Sequence, residues 1–114
     1  MLRGEIWRIN LSPTIGAEIR KTRPVIIVNA DEIGILPLKV IVPLTDWKER
    51  YGEAVWMTKI EPNAENYLSK TSAADAFQVR SVSKERFVEK LGKVSEDQLA
   101  EISEALAIVL KIYG

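Results

Sequence analysis

Only one stretch of this sequence keeps a helical period for long, and it lies close to the C-terminus. Ser95-Glu96-Asp97-Gln98 reads as a capping box: the Ser95 hydroxyl accepts from the backbone N–H of Gln98, whose side chain reaches back. Leu99, Ile102, Leu106, Val109 and Tyr113 then recur at helical spacing, and Ala105, Ile108, Leu110 and Ile112 widen the apolar stripe. A helix this apolar must pack on the rest of the chain, and its width leaves surface for a partner chain.

Everything upstream breaks into short runs. Glu5 to Leu11 alternates, with Trp7, Ile9 and Leu11 on one face and Arg8 and Asn10 on the other, as in a half-buried strand. Ser12-Pro13-Thr14 ends it, and Ile15 to Thr22 is a polar loop holding Gly16. Pro24 opens Val25-Ile26-Ile27-Val28, a continuous apolar run that suits a strand buried on both faces. Asn29 to Pro37 is a turn-rich connection with room for one helical turn. Val40-Ile41-Val42 is the next strand, stopped near Pro43, and Val55-Trp56-Met57 another. Glu61 to Lys70 is a loop. Phe77, Val79 and Arg80 favour a strand over Ala73 to Val79, and a short helical turn begins at Ser83 through Lys84-Glu85-Arg86. About five or six short strands with one long helix define an α+β fold: a small, mostly antiparallel barrel with a C-terminal helix. The 114 residues make one domain, 1–114.

Sixteen Lys and Arg balance sixteen Asp and Glu, so a nucleic-acid partner would require charge segregated onto one face. The chain has no Cys, which excludes a disulfide framework, a thiol nucleophile and a zinc knuckle. It also has no His, the commonest general base and transition-metal ligand. Catalysis would fall to carboxylates, Arg, Lys, Tyr, hydroxyls or the substrate's own groups, and no metal or other cofactor is expected. Met1-Leu2-Arg3-Gly4-Glu5 carries no apolar leader, and no apolar run approaches the roughly 18 residues of a membrane span. The expectation is a soluble cytoplasmic protein with no membrane contact.

Three constellations can carry chemistry. Gly16 to Pro24 holds Arg20, Lys21, Arg23 and Glu18 in a loop feeding a buried strand. It is either a solvated charged loop or a phosphate grip with Arg23 at the strand edge, since the guanidinium fork donates two parallel hydrogen bonds. Thr45 and Asp46, just past an apolar strand, form an ordinary turn or a polar site. Ser72, Asp75, Gln78 and Arg80 make the third group; a buried Asp75 needs a partner, and Gln78 and Arg80 share a face if both lie on one strand. Taken one at a time, each group is more simply read as ordinary surface. Among the aromatics, Trp7 and Trp56 suit the core. Trp47 and Tyr51 flank Lys48, Glu49 and Arg50, an arrangement used to stack bases, and Trp47 is left open between core and surface.

The order of the motifs adds what single residues do not. Arg3-Gly4-Glu5-Ile6-Trp7 and Asn10-Leu11-Ser12-Pro13 come first, then Gly16-x-Glu18 and Arg23-Pro24-Val25-Ile26-Ile27-Val28. Val42-Pro43-Leu44-Thr45, Lys70-Thr71-Ser72, Gln78-Val79-Arg80, Lys84-Glu85-Arg86-Phe87 and Leu91-Gly92 follow. Across nearly its full length the chain resembles the MazF/PemK family of toxin endoribonucleases (mRNA interferases). The resemblance implies a barrel related to SH3 folds with a terminal helix, and a homodimer. It implies metal-independent cleavage of single-stranded RNA, usually mRNA, at short sequences. The attacking group would be the RNA's own 2′-hydroxyl, leaving 2′,3′-cyclic phosphate and 5′-hydroxyl ends.

The family's catalytic pair falls on Arg23 and Thr45, and its substrate contacts on Glu18, Ser72 and Gln78. Arg20, Lys21, Thr22, Asp46 and Arg80, which surround them, are expected to bind substrate too. The implied partner is a cognate antitoxin whose disordered acidic segment lies over the Arg20, Lys21 and Arg23 cluster, with DNA contacted only through that antitoxin. Trp47 and Arg20-Lys21-Thr22 depart from the common pattern where sequence preference is set, so no cut sequence carries over. Two other readings stand beside this one. A gyrase-poisoning toxin of the CcdB type shares the fold but relies on a Trp near its C-terminus, where this chain has Leu110-Lys111-Ile112-Tyr113-Gly114. The third is an RNA-binding domain without catalysis.

Overall fold

The computed structural model describes residues 1–11 and 22–112. Seven strands and one helix follow in order: β1 (Glu5–Asn10), β2 (Thr22–Ile27), β3 (Leu38–Asp46), β4 (Met57–Ile60), β5 (Ser72–Asp75), β6 (Arg80–Ser83), β7 (Phe87–Lys93) and α1 (Glu96–Leu110). Every pairing is antiparallel, and the strand path runs β4-β5-β3-β2-β1-β7 with β6 attached to β3. This is the expected α+β fold, a barrel-like antiparallel sheet with a C-terminal helix, although β4 and β7 end the path without closing it.

The sheet buries apolar residues on both faces. Ile26, Val42, Leu44 and Ile6 face Ile102 of α1, with Leu99 and Leu106 packed alongside. Val25, Ile27, Ile41 and Ile9 form a second cluster on the opposite face, with Val82, Trp7, Leu11 and Phe87. The unbroken run in β2 thus alternates between two cores, as a doubly covered strand must. Trp7, Ile9 and Leu11 share a face as their alternation requires, and Trp7 meets Phe87 edge-on at 5.8 Å. The capping box at Ser95 is formed in both directions, at 2.9 and 3.1 Å. Single 3-10 turns occupy Asp31–Ile33 and Lys84–Arg86, where the sequence has room for them.

Several elements depart from the sequence reading. β3 does not stop near Pro43 but runs on to Asp46. Pro43 falls between two partners on one flank: β6 pairs no further than Ile41, and β5 begins at Leu44. A missing N–H is tolerated at such a changeover. β2 starts at Thr22, so Pro24 is its third residue, just before pairing with β3 begins at Val25. Val55 and Trp56 precede β4, and Trp56 is exposed rather than core, lying edge-on to exposed Phe77 at 6.1 Å. The strand expected over Ala73 to Val79 ends at Asp75 and turns through a 3-10 segment, Ala76–Gln78. Gln78 and Arg80 therefore do not share a strand. Residues 12–21, and Tyr113 of the helical stripe, lie outside the described residues.

Candidate active site

The site grows out of the β2–β3 register. Val25–Pro43 is the last pair of that register, and Arg23 and Thr45 lie two residues beyond it on the two strands, where a cleft lined by both opens. Both share the strand parity of Val25 and Pro43, so both side chains lie on the face away from α1. On its other side Arg23 pairs with Ile9 of β1, and Thr45 pairs with Ala73 of β5. Two residues far apart in sequence are therefore set on neighbouring strands, Arg23 by its pairing with β1 and Thr45 by its pairing with β5.

Two clefts meet at these residues. One, of about 520 Å³, is lined by Thr22, Arg23, Pro24, Leu44, Thr45, Asp46 and Ser72. The other, of about 370 Å³, has Arg23 and Thr45 again on its wall, with Tyr51, Asp75, Gln78 and Arg80 among the rest. All the described residues expected at a site are thus brought to one locality: Thr22, Asp46 and Ser72 in the first cleft, Gln78 and Arg80 in the second, Arg23 and Thr45 in both. Glu18, Arg20 and Lys21 lie outside the described residues.

The polar groups divide by how they are engaged. Lys70 Nζ lies 3.1 Å from Asp46 Oδ2, and Ser72 Oγ donates to the Lys70 carbonyl at 3.1 Å, so Lys70 braces one wall. Asp75 is buried and has the partners that its burial demands. One oxygen accepts from the Phe77 N–H at 3.1 Å and the other from Gln78 Nε2 at 2.9 Å. Arg23 and Arg80, by contrast, make no ion pair with any other described residue, and both are exposed. Unpaired guanidinium groups beside a cleft are suited to an anionic ligand.

Two further residues join the site. Tyr51 reaches the second cleft, with Arg50 lying 5.2 Å over its ring. Trp47, half-buried, meets Tyr51 edge-on at 5.9 Å and takes Lys59 over its ring at 5.2 Å. The spacing of Trp47 and Tyr51 among cations is visible in the sequence, but only the fold shows which of them lines a cleft. Among the described residues no cluster of three or more His, Cys, Asp or Glu is placed to hold a metal ion, and no helix is long and apolar enough to cross a membrane.

The class defined by the structure is a small α+β protein with an antiparallel barrel-like sheet and a cleft bearing unpaired arginines, and comparison with known proteins gives the family. Residues 2–110 match the family described as "PemK-like, MazF-like toxin of type II toxin-antitoxin system". Endoribonuclease MazF9 of Mycobacterium tuberculosis is 30% identical over 121 residues, spanning 100% of this chain and 99% of that protein. Among solved structures, a mycobacterial endoribonuclease in complex with its cognate antitoxin superposes with a TM-score of 0.79 at 21% identity, covering 100% of this chain and 98% of that one. MazF in a MazE–MazF structure from Deinococcus radiodurans gives 0.77 at 23% identity, covering 99% and 97%. The chain belongs to the PemK-like, MazF-like toxins of type II toxin–antitoxin systems, and with them to the toxin endoribonucleases.

Proposed function

We propose that this toxin cleaves single-stranded RNA, mRNA in the cell, without a metal ion, using the RNA's own 2′-hydroxyl as nucleophile. The observation that carries this reading is that Arg23 and Thr45 line the same two clefts, in a chain that has no His or Cys. In-line attack forms the 2′-oxygen–phosphorus bond and breaks the bond to the 5′-oxygen; the 2′-hydroxyl proton passes to water and water protonates the departing 5′-oxygen, giving a 2′,3′-cyclic phosphate and a 5′-hydroxyl. The protein then supplies no nucleophile. Negative charge grows on the non-bridging phosphate oxygens, where the Arg23 fork and the Thr45 hydroxyl can donate to it. Arg23 acts as an electrostatic stabiliser, since a guanidinium keeps its proton. The clefts' carboxylates also favour a metal-free reaction: Asp46 is paired with Lys70, and Asp75 is engaged by Gln78.

The remaining expectations belong to the same reading. Thr22, Asp46, Ser72, Gln78 and Arg80 contact RNA, together with Glu18, Arg20 and Lys21. A homodimer forms through the barrel and terminal-helix surfaces, the latter where Ile108, Leu110 and the following Ile112 stay exposed, and sedimentation mass tests it. A cognate antitoxin lays an acidic segment over the arginine-bearing face in the cytoplasm and carries any DNA contact. Cleavage of a mixed-sequence RNA in EDTA tests the chemistry. Cutting is expected to persist, with cyclic-phosphate ends, and an all-2′-deoxy oligonucleotide is expected to stay intact. Loss of cutting in EDTA with recovery on adding a divalent ion would overturn the proposal.

A further inference from the structure

Arg86 ends the 3-10 turn, Lys84–Arg86, that joins β6 to β7. The turn is tied down on its own account. Ser83 Oγ accepts from the Glu85 N–H at 3.2 Å, the Lys84 N–H donates to the Pro37 carbonyl at 3.0 Å, and Lys84 Nζ donates to the Gly34 carbonyl at 3.2 Å. Because the chain turns there, β7 starts only at Phe87, and the register of β1 with β7 stops at Ile9 opposite Phe87. Asn10, the last residue of β1, lies past that stop, on the flank where β7 has ended. A backbone carbonyl beyond the end of a ladder needs another donor. The half-buried Arg86 side chain reaches back and supplies one, its Nη1 donating to the Asn10 carbonyl at 3.1 Å.

The same end of β1 carries the start of β2. Asn10 pairs with Thr22 and Ile9 with Arg23, whereas the register of β2 with β3 begins only at Val25. Among the described strands, β1 alone pairs with Thr22 and Arg23. Leu11, the residue after Asn10, lies with Arg23 on the wall of the second cleft. The backbone that bears Arg23 is thus tied on one flank only, to a strand end that Arg86 ties in turn. We infer that Arg86 is a positioning residue for Arg23: by bonding the Asn10 carbonyl, its guanidinium fixes the end of β1 against which Arg23 is aligned. Arg86 is on the wall of neither cleft at Arg23, so its effect on cleavage runs through Arg23 and not through a contact with RNA. The inference rests on the RNA-cleaving reading, in which Arg23 stabilises the growing charge, but the tie itself can be read without RNA.

The experiment puts Arg86→Ala and Arg86→Lys, each alone and combined with Arg23→Ala, through three measurements. These are single-turnover cleavage of RNA, affinity for the same sequence as 2′-O-methyl RNA, which has no 2′-hydroxyl to attack, and amide hydrogen exchange. Arg86→Ala is expected to cut about 10–100 times more slowly per folded molecule, since a misplacement of about 1 Å can cost that much. Its affinity for the 2′-O-methyl RNA is expected to change by about threefold or less, because the loss falls on the transition state. Arg86→Lys still offers an N–H donor and is expected to recover most of the rate. In the Arg23→Ala background, Arg86→Ala is expected to cost almost nothing further, because residues that act as a unit are not additive. Exchange is expected to quicken at residues 9–11 and 22–23 and to stay unchanged in α1. Should Arg86→Ala not fold, Arg86→Gln, polar but too short to reach, takes the same measurements with the same thresholds. Any of four results overturns the inference: a rate within about threefold of wild type, an affinity that falls as much as the rate, a loss undiminished without Arg23, or unchanged exchange at residues 22–23. Failure of the nuclease reading shows separately, as unmodified RNA left uncut by the wild type while the exchange result stands.

Discussion

The two ends of β1 lead to regions that treat their polar groups in opposite ways. Near Glu5 the groups are closed on one another. Glu5 accepts from the Leu2 N–H at 3.0 Å and the Trp7 indole at 2.9 Å, and pairs with Lys90 at 3.1 Å. Close by, Asn66 is fully buried. It accepts from the N–H groups of Asn63 and Leu68 and donates to the Glu61 carbonyl, so it holds the 61–70 loop against β7. That loop comes so near that a Cβ on Gly92 would lie 2.5 Å from the Glu65 carbonyl oxygen. At the other end, Ile9 pairs with Arg23. One end spends its hydrogen-bonding capacity on the fold, and at the other the Arg23 guanidinium has no ion-pair partner among the described residues. Substitutions should therefore separate cleanly: stability without activity at the first, activity without stability at the second.

The largest effect is expected at Arg23. Arg23→Lys should lose nearly as much activity as Arg23→Ala, about 10²–10³ in single-turnover rate, with unfolding temperatures unchanged. Lys keeps the charge but is a point donor that cannot grip two phosphate oxygens in a plane. Thr45→Ala should impair cleavage more than Thr45→Ser, which keeps the hydroxyl. If Arg23→Lys cuts within about threefold of wild type, Arg23 is an ordinary strand-edge cation and the comparison between the two ends collapses.

Asn66→Ala is the converse test. It removes the bonds to two N–H groups and a carbonyl in a loop that is exposed apart from Asn66 and Leu68, and should cost about 2 kcal/mol by urea unfolding. Cleavage per folded molecule should stay at the wild-type level. A parallel loss of rate in the folded fraction would mean that the two ends are coupled.

Glu5 sharpens the same comparison through pH. Burial opposes its ionisation, but the Leu2 N–H, the Trp7 indole and the Lys90 ammonium outweigh burial and hold its pKa at about 2, against an ordinary 4.5. A carboxyl lowered in this way contributes stability that is complete above its unfolded value and is lost as pH falls towards the folded one. Unfolding temperature should therefore drop between pH 4.5 and 2, and Glu5→Gln should flatten that part of the profile. An unchanged slope in the variant would remove Glu5 from the account.

How legible these two ends are in the sequence follows from the range of the interactions. β1, β2 and α1 are readable because alternation, an unbroken apolar run and a capping box are local signals. Pro43 misleads because its effect depends on which strands flank β3, and that is a long-range fact. Trp56 misleads because size and hydrophobicity favour burial, whereas its place before β4 leaves it beside Phe77 at the surface. The pairing of Arg23 with Thr45 is visible only through family resemblance. No spacing rule joins residues on two strands, and the fold brings them to the walls of the same clefts. Asp75 is signalled only as a buried acid in need of a partner, and its hold on Gln78 needs the turn that the fold supplies. Asn66 has no local signal at all, since an Asn in a polar loop looks the same whether solvated or buried.

The smallest effect expected is at the start of α1. Ser95 accepts from the Gln98 N–H at 3.1 Å, and Gln98 accepts from the Ser95 N–H at 2.9 Å. Ser95→Ala removes the first bond and leaves the helix N-terminus short of one acceptor, which costs about 1 kcal/mol. The loss stays modest because Leu99, Ile102 and Leu106 still pack on the sheet, and most helix stability in a folded protein comes from such packing. The cap lies on the side of the molecule that closes its polar groups, far along the chain from Arg23 and Thr45. Ser95→Ala should thus lower the urea midpoint slightly, leave the slope of the transition unchanged, and leave the cleavage rate untouched. Ser95→Asp tests the cause: a carboxylate caps as well as a hydroxyl and adds favourable charge at the helix start, so it should restore the midpoint or exceed it. If Ser95→Asp is as weak as Ser95→Ala, the hydrogen bond at 3.1 Å is not what stabilises this end, and packing alone sets the helix.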